Sequence, residues 1–170
     1  RYGNVIASRG SVIPLFISQI KNNKPLTITN YNMTRFIMSL EEAVELVLFA
    51  FDKGKNGEIF VQNSPAAKII TISEVVKEIL DYTKKDKIIG VRHSEKMFET
   101  LISSEEMNRC QRTKNFFVIK PDTRDLNYDQ FFIKGKSKIF SDFNSDTTTI
   151  LSNKNLKNLL MKSSQFKELL

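Results

Sequence analysis

Three times in this chain a hydroxyl residue stands three positions ahead of a glutamate, at Ser39 and Glu42, Thr71 and Glu74, and Ser103 and Glu106. Such a capping box satisfies two backbone N–H groups reciprocally and fixes where a helix begins. Before, between and after the boxes lie short β-branched or aromatic runs, Leu26–Thr29, Glu58–Gln62, Lys87–Val91 and Asn115–Ile119, which read as strands. Two further helices are expected. Ser11–Lys21 carries apolar groups at Val12, Ile13, Phe16, Ile17 and Ile20, with Ser11 as N-cap and Pro14 harmless in the first turn. Ser152–Met161 is the second, with Gln165–Leu170 as its extension. The Ser39 helix should bury Ala43, Val44, Val47, Leu48, Ala50 and Phe51 and stop at Gly54. The Thr71 box should open a helix reaching about Tyr82, after a loop over Asn63–Lys68. Strands alternating with helices make the class α/β, with the strands short and few. Leu126–Phe132 and Gly135–Asn144 carry few cues.

A length of 170 residues is enough for one domain with its own core. No apolar run reaches the eighteen or so residues of a membrane helix. The chain does not open on Met, which suggests a fragment or a processed chain. A single cysteine, Cys110, excludes an internal disulfide, fits a reducing, cytoplasmic compartment, and reads as an inert residue on a helix. With one histidine, His93, it makes no metal site. The net charge of +7 is spread without a run of five or more like charges, so an anionic small ligand is favoured over nucleic acid.

An anion has places to sit. Arg1–Val5 reads as the end of a strand, Ser8–Arg9–Gly10 as a loop, and Ser11 as the start of a helix. That joint offers unpaired N–H groups and a positive helix end, with Arg9 beside them. An ordinary joint with a solvated arginine has the same sequence. Arg35 and Arg92 fall at strand ends in separate segments. Two guanidinium forks, always charged and planar, are what a diphosphate requires, although each could equally be a surface arginine.

Arg1-Tyr2-Gly3-Asn4-Val5, Ser8-Arg9-Gly10-Ser11-Val12-Ile13-Pro14, Met33-Thr34-Arg35-Phe36, Arg92-His93-Ser94-Glu95-Lys96 and Arg124-Asp125-Leu126-Asn127-Tyr128 occur in this order. Together they resemble the nucleotide-sugar epimerases and dehydratases of polysaccharide biosynthesis, the CapD-like group of extended short-chain dehydrogenases. The resemblance covers nearly the whole chain. It implies the C-terminal, substrate-binding lobe of an extended Rossmann-type fold, over residues 1–170, with 1–5 a strand of a sheet whose remainder lies in an N-terminal half. It implies that Arg35 and Arg92 clamp the pyrophosphate of a UDP-sugar, that Asn4 contacts it, and that Ser11 and Val12 lie along the diphosphate, where Arg9 is a further substrate-binding candidate from its charge. Thr27 and Ile28 would flank the uracil, Glu95 would accept from a ribose hydroxyl, and Tyr2 would approach the nicotinamide of NAD or NADP. His93 belongs to the substrate loop rather than to proton transfer. Ser94 replaces the family's usual glycine, which matters if that position needs a positive φ. Arg124–Tyr128 would close over the site, and Phe143–Thr147 is a weakened version of a family stretch.

The implied chemistry is hydride removal from sugar C4. It is followed by elimination across C5–C6 in a 4,6-dehydratase of UDP-N-acetylglucosamine, or by hydride return from the other face in a UDP-sugar 4-epimerase. No Gly-x-Gly-x-x-Gly and no Tyr-x-x-x-Lys occurs, so no catalytic residue is expected in this chain. The expected partners are a UDP-sugar, the N-terminal Rossmann half and further copies in a homo-oligomer. The other reading is a non-catalytic nucleotide-sugar-binding module.

Overall fold

The computed structural model describes residues 1–122 and 140–170. One sheet orders β1 (Asn4–Val5), β3 (Thr34–Met38) and β5 (Ala66–Lys68), with β1 parallel to β3 and β5 antiparallel to it. A second sheet orders β4 (Ile59–Gln62), β9 (Phe116–Ile119) and β8 (Cys110–Arg112), all antiparallel. Two small pairs complete the β structure. β2 (Thr27–Ile28) runs parallel to β6 (Lys87–Ile88), and β7 (Thr100–Ile102) antiparallel to β10 (Phe143–Asn144). The helices are α1 (Val12–Lys21), α2 (Leu40–Lys53), α3 (Ile69–Ile79), α4 (Ser104–Met107), α5 (Asn153–Lys162) and α6 (Ser164–Lys167).

The largest core lies among α1, α3, α5 and α6, where Phe16, Ile72, Leu156, Leu160 and Phe166 are fully buried. The β4–β9–β8 sheet buries a side chain on each face. Leu46 and Phe49 of α2 pack with Phe60 and Phe116 on one, and Val61, Phe117 and Ile119 meet Ile102 of β7 on the other. β1 can lie against β3 because residue 3 is glycine. A Cβ on Gly3 would stand 2.2 Å from the Cβ of Phe36. β1 begins only at Asn4. Arg1 runs instead beside β4, where its N donates to Phe60 O and its O accepts from Gln62 N.

Several expectations change. β3 lacks the alternation that marks a half-buried strand, because Thr34, Phe36, Ile37 and Met38 are all buried. β5 forms from Ala66–Ala67, inside the expected loop, because β3 supplies its hydrogen-bonding partner. With ten strands among the described residues, the strands are short but not few. The Ser39 and Ser103 boxes form with both reciprocal hydrogen bonds. The Thr71 box does not, since α3 has already started at Ile69 with Lys68 as N-cap. Gln165–Leu170 does not extend α5. Ser163 ends that helix and caps a new one, accepting from Phe166 N. Cys110 sits in β8, half-buried, and burial pushes its thiol pKa up. On α2 the buried residues are Ala43 and Leu46, whereas Val44, Val47, Leu48 and Phe51 are exposed, Phe51 at 92%. Arg124–Tyr128 lies outside the described residues.

Candidate functional site

A cleft of about 390 Å³ opens where β1, β3, the N-terminus of α1, β2 and the loop after β6 converge. That volume falls within the roughly 300–1,000 Å³ of small-molecule sites. Asn4, Ser11, Val12, Thr27, Ile28, Arg35, Arg92 and Glu95 all line it. They come from five separate segments, and only the fold brings them together. Arg9 and Tyr2 do not line it. The turn after β1 explains Arg9. Ser8 N donates to Val5 O and Ser11 N to Ser8 O, and Gly10 takes φ +78°, so Gly10 and Ser11 face the cleft while Arg9 is left in solvent. Tyr2 precedes the strand and is 51% exposed.

The two arginines of the cleft differ. The Arg35 side chain is only 16% exposed. Its Nη1 donates to Thr34 O at 2.8 Å and, weakly, to Met97 O at 3.5 Å, and its Nε lies 3.8 Å from Glu99 Oε1. Arg92 is exposed, and no side-chain bond holds it among the described residues. One guanidinium is thus fixed in place, and the other is free to close on a ligand.

Glu99 was not foreseen. Its carboxylate accepts from Asn4 Nδ2 at 3.0 and 3.2 Å and from Phe36 N at 3.1 Å, in addition to facing Arg35. Its own N donates to Ser145 Oγ at 2.9 Å, and Ser145 N donates back to Glu99 O. Ser145 is fully buried. Its hydroxyl donates to Thr34 O and, with that proton committed, accepts from Thr34 Oγ1 at 2.8 Å. A turn at Asn144–Thr147, in the stretch that looked weakened, therefore anchors the carboxylate that orients Asn4 and Arg35. A glutamate inside Phe98-Glu99-Thr100 gives no local signal for this, because every one of its partners is distant in sequence.

At the head of α1, Ser11 adopts N-cap backbone angles but its side chain does not cap. Its Oγ is buried and makes no hydrogen bond in the structure. Beside it are the first N–H groups of α1, which have no partner within the helix. On the substrate loop, Glu95 Oε1 lies 3.5 Å from Thr29 Oγ1. His93 is exposed and not part of the cleft lining. Ser94 is not among the residues with positive φ; that role falls to Gly90, at φ +81°. The loop does not need a glycine at position 94. Among the described residues no group of acidic, His or Cys side chains could hold a metal, and no helix is long and apolar enough to cross a membrane.

Residues 1–121 match the family model described as polysaccharide biosynthesis protein, and residues 122–167 the one described as polysaccharide biosynthesis protein C-terminal. The chain is 50% identical over 163 residues to a protein named UDP-glucose 4-epimerase from Rickettsia bellii (strain OSU 85-389), covering 95% of this chain and 48% of that one. A protein of the same name from Rickettsia felis is 49% identical over the same length. Among solved structures, Pen from Bacillus thuringiensis superposes with a TM-score of 0.80 at 33% identity, over 96% of this chain and 48% of that one. A dTDP-glucose 4,6-dehydratase from Bacillus anthracis, solved with NAD, shares the fold at a TM-score of 0.51 and 13% identity. The chain spans about half the length of the relatives it matches. The model described as C-terminal lies near the end of this chain.

Proposed function

The chain belongs to the polysaccharide biosynthesis protein family of nucleotide-sugar epimerases and dehydratases, and from that premise we propose that its cleft binds a UDP-sugar. The observation that carries the reading is the donor set of the cleft: a fixed Arg35, a free Arg92, the unbonded Ser11 hydroxyl and the N–H groups that open α1. All are donors, and all suit the two phosphates of a nucleoside diphosphate. Thr27, Ile28 and Ile89 offer a half-apolar wall for a base, and Glu95 an acceptor for a ribose hydroxyl. Asn4, oriented by Glu99, suits the sugar side of the diphosphate.

The described residues do not fit NAD or NADP. Tyr2 stands exposed outside the cleft, and the sequence has no glycine-rich phosphate turn. The chain binds and orients the sugar nucleotide. The dinucleotide and the acid–base groups belong to the preceding half of the full-length protein. That protein would be a UDP-N-acetylglucosamine 4,6-dehydratase or a UDP-sugar 4-epimerase, and the name shared by the Rickettsia relatives favours the epimerase.

Calorimetric titration tests the assignment. UDP-N-acetylglucosamine or UDP-glucose should bind the chain, whereas NAD⁺ and NADP⁺ should give no heat. Arg35→Ala and Arg92→Ala should each weaken UDP-sugar binding by about 1.5–3 kcal/mol, roughly 10- to 150-fold in Kd. Dinucleotide binding without UDP-sugar binding would reverse the assignment. No 4-keto or epimerised sugar should accumulate with the chain alone; turnover would show that the catalytic groups are here after all.

A further inference from the structure

A surface helix ordinarily shows one apolar stripe toward the core and polar residues opposite it, but α2 carries two apolar sides, separated by a stripe of Glu41, Glu45 and Asp52. On its inner side Ala43 is buried, and Leu46, Phe49 and Ala50 pack on Phe60 and Phe116. Its outer side presents Leu40, Val44, Val47, Leu48 and Phe51, exposed by 42, 49, 56, 62 and 92%. Leu40, Val44 and Leu48, spaced four apart, floor an open groove flanked by Glu41 and Glu45. So many large apolar groups on one helix exceed the scattered surface leucines of ordinary proteins and mark an interaction surface.

We infer that the outer face of α2 is the docking surface for the preceding half of the full-length protein, the half that this chain's relatives possess and its match does not span. Three observations favour that occupant. About half of each relative's length lies outside the match. The backbone of Arg1, where such a segment would join, lies against β4, the strand that the inner face of α2 covers. The parallel strand β1 has β3 on one edge and no strand on the other among the described residues. An open strand edge presents unpaired N–H and C=O groups and is normally paired, covered or blunted. A second copy of the chain fits less well. A twofold pairing of α2 with α2 would bring Glu41 and Glu45 of both copies together, and neither has an ion-pair partner among the described residues. The inference does not depend on which nucleotide sugar occupies the cleft.

Thiol labelling tests it. In a Cys110→Ser background, Leu48→Cys and, as a control on a remote surface, Lys154→Cys are placed in two contexts. One is this chain alone, and the other is this chain fused at Arg1 to the preceding half of the Rickettsia bellii relative. Leu48→Cys should react with a maleimide at least about tenfold more slowly in the fusion, while Lys154→Cys reacts equally in both. As a second readout, Leu48→Glu with Phe51→Glu should leave the thermal midpoint of the isolated chain unchanged and lower that of the fusion. Equal labelling in both contexts, with the fusion indifferent to the double substitution, overturns the inference. So does protection of Leu48→Cys in the isolated chain that grows with its concentration, because a second copy would then be the occupant. UDP titration of the same samples reports on the cleft separately, so loss of either reading leaves the other standing.

Discussion

Arg35 and Arg92 share a cleft but would lose different things on truncation. Arg35 bonds Thr34 O and faces Glu99, so its removal takes the facing guanidinium from a half-buried carboxylate as well as from a ligand. Arg35→Ala should therefore lower the thermal midpoint of the free chain, whereas Arg92→Ala, in solvent, should weaken UDP-sugar binding and leave the midpoint alone. Differential scanning calorimetry beside the titration separates the two. Glu99 acts through others. Glu99→Ala leaves Phe36 N and the Asn4 amide without their acceptor, at a cost of about 1–3 kcal/mol in stability. It should also weaken UDP-sugar binding although Glu99 need not touch the ligand. Glu99→Gln keeps one acceptor oxygen and should recover part of both losses. If Glu99→Ala changed stability but not affinity, the carboxylate would be structural only.

The helices show what a local motif can and cannot decide. Ser39 Oγ accepts from Glu42 N while the Glu42 carboxylate accepts from Ser39 N, so Ser39→Ala should cost about 1 kcal/mol, some 2–4 °C in a chain of this size. Thr71 has the same local sequence pattern but lies within α3, where it caps nothing. Thr71→Val should shift the midpoint by less than half as much in the same thermal melts. The difference comes from β5. Its pairing with β3 through Lys68 and the bond from Ile69 N to Met33 O set α3 going before the box is reached.

Across the whole molecule, one ion pair ties the start of the chain to α4. Arg1 Nη1 and Nη2 donate to the two oxygens of Glu106 at 2.7 and 2.8 Å. This charged hydrogen bond, with the N–H of Ser103 and despite some burial, holds the Glu106 carboxyl near a pKa of about 2, below the ordinary 4.5. A carboxylate whose folded pKa is depressed stabilises the fold above its unfolded pKa and loses that contribution as the proton binds. The contribution is complete above about pH 4.5 and fades as pH falls toward 2. Thermal melts of the chain and of Glu106→Gln should therefore differ at pH 7 and converge near pH 2; a constant gap would mean that the pair does not titrate as described.

Sequence by itself determined the α/β class, the start of α1, α2, α4 and α5, and the residue types able to hold a diphosphate, because caps, periodicity and guanidinium chemistry act over a few residues. It could not say which side of α2 would be covered, since Ala43 and Val44 differ by only a rotation about the helix axis and both sides are apolar. Nor could it separate Arg9, left in solvent by a glycine turn two residues before α1, from Arg35, drawn into the cleft by β3. Glu99 was the deepest miss. Its bonds to Asn4, Phe36 and Ser145 span 95, 63 and 46 residues, and contacts of that separation exist only once the strands have paired. Local chemistry chose the parts, and long-range pairing chose which of them face one another.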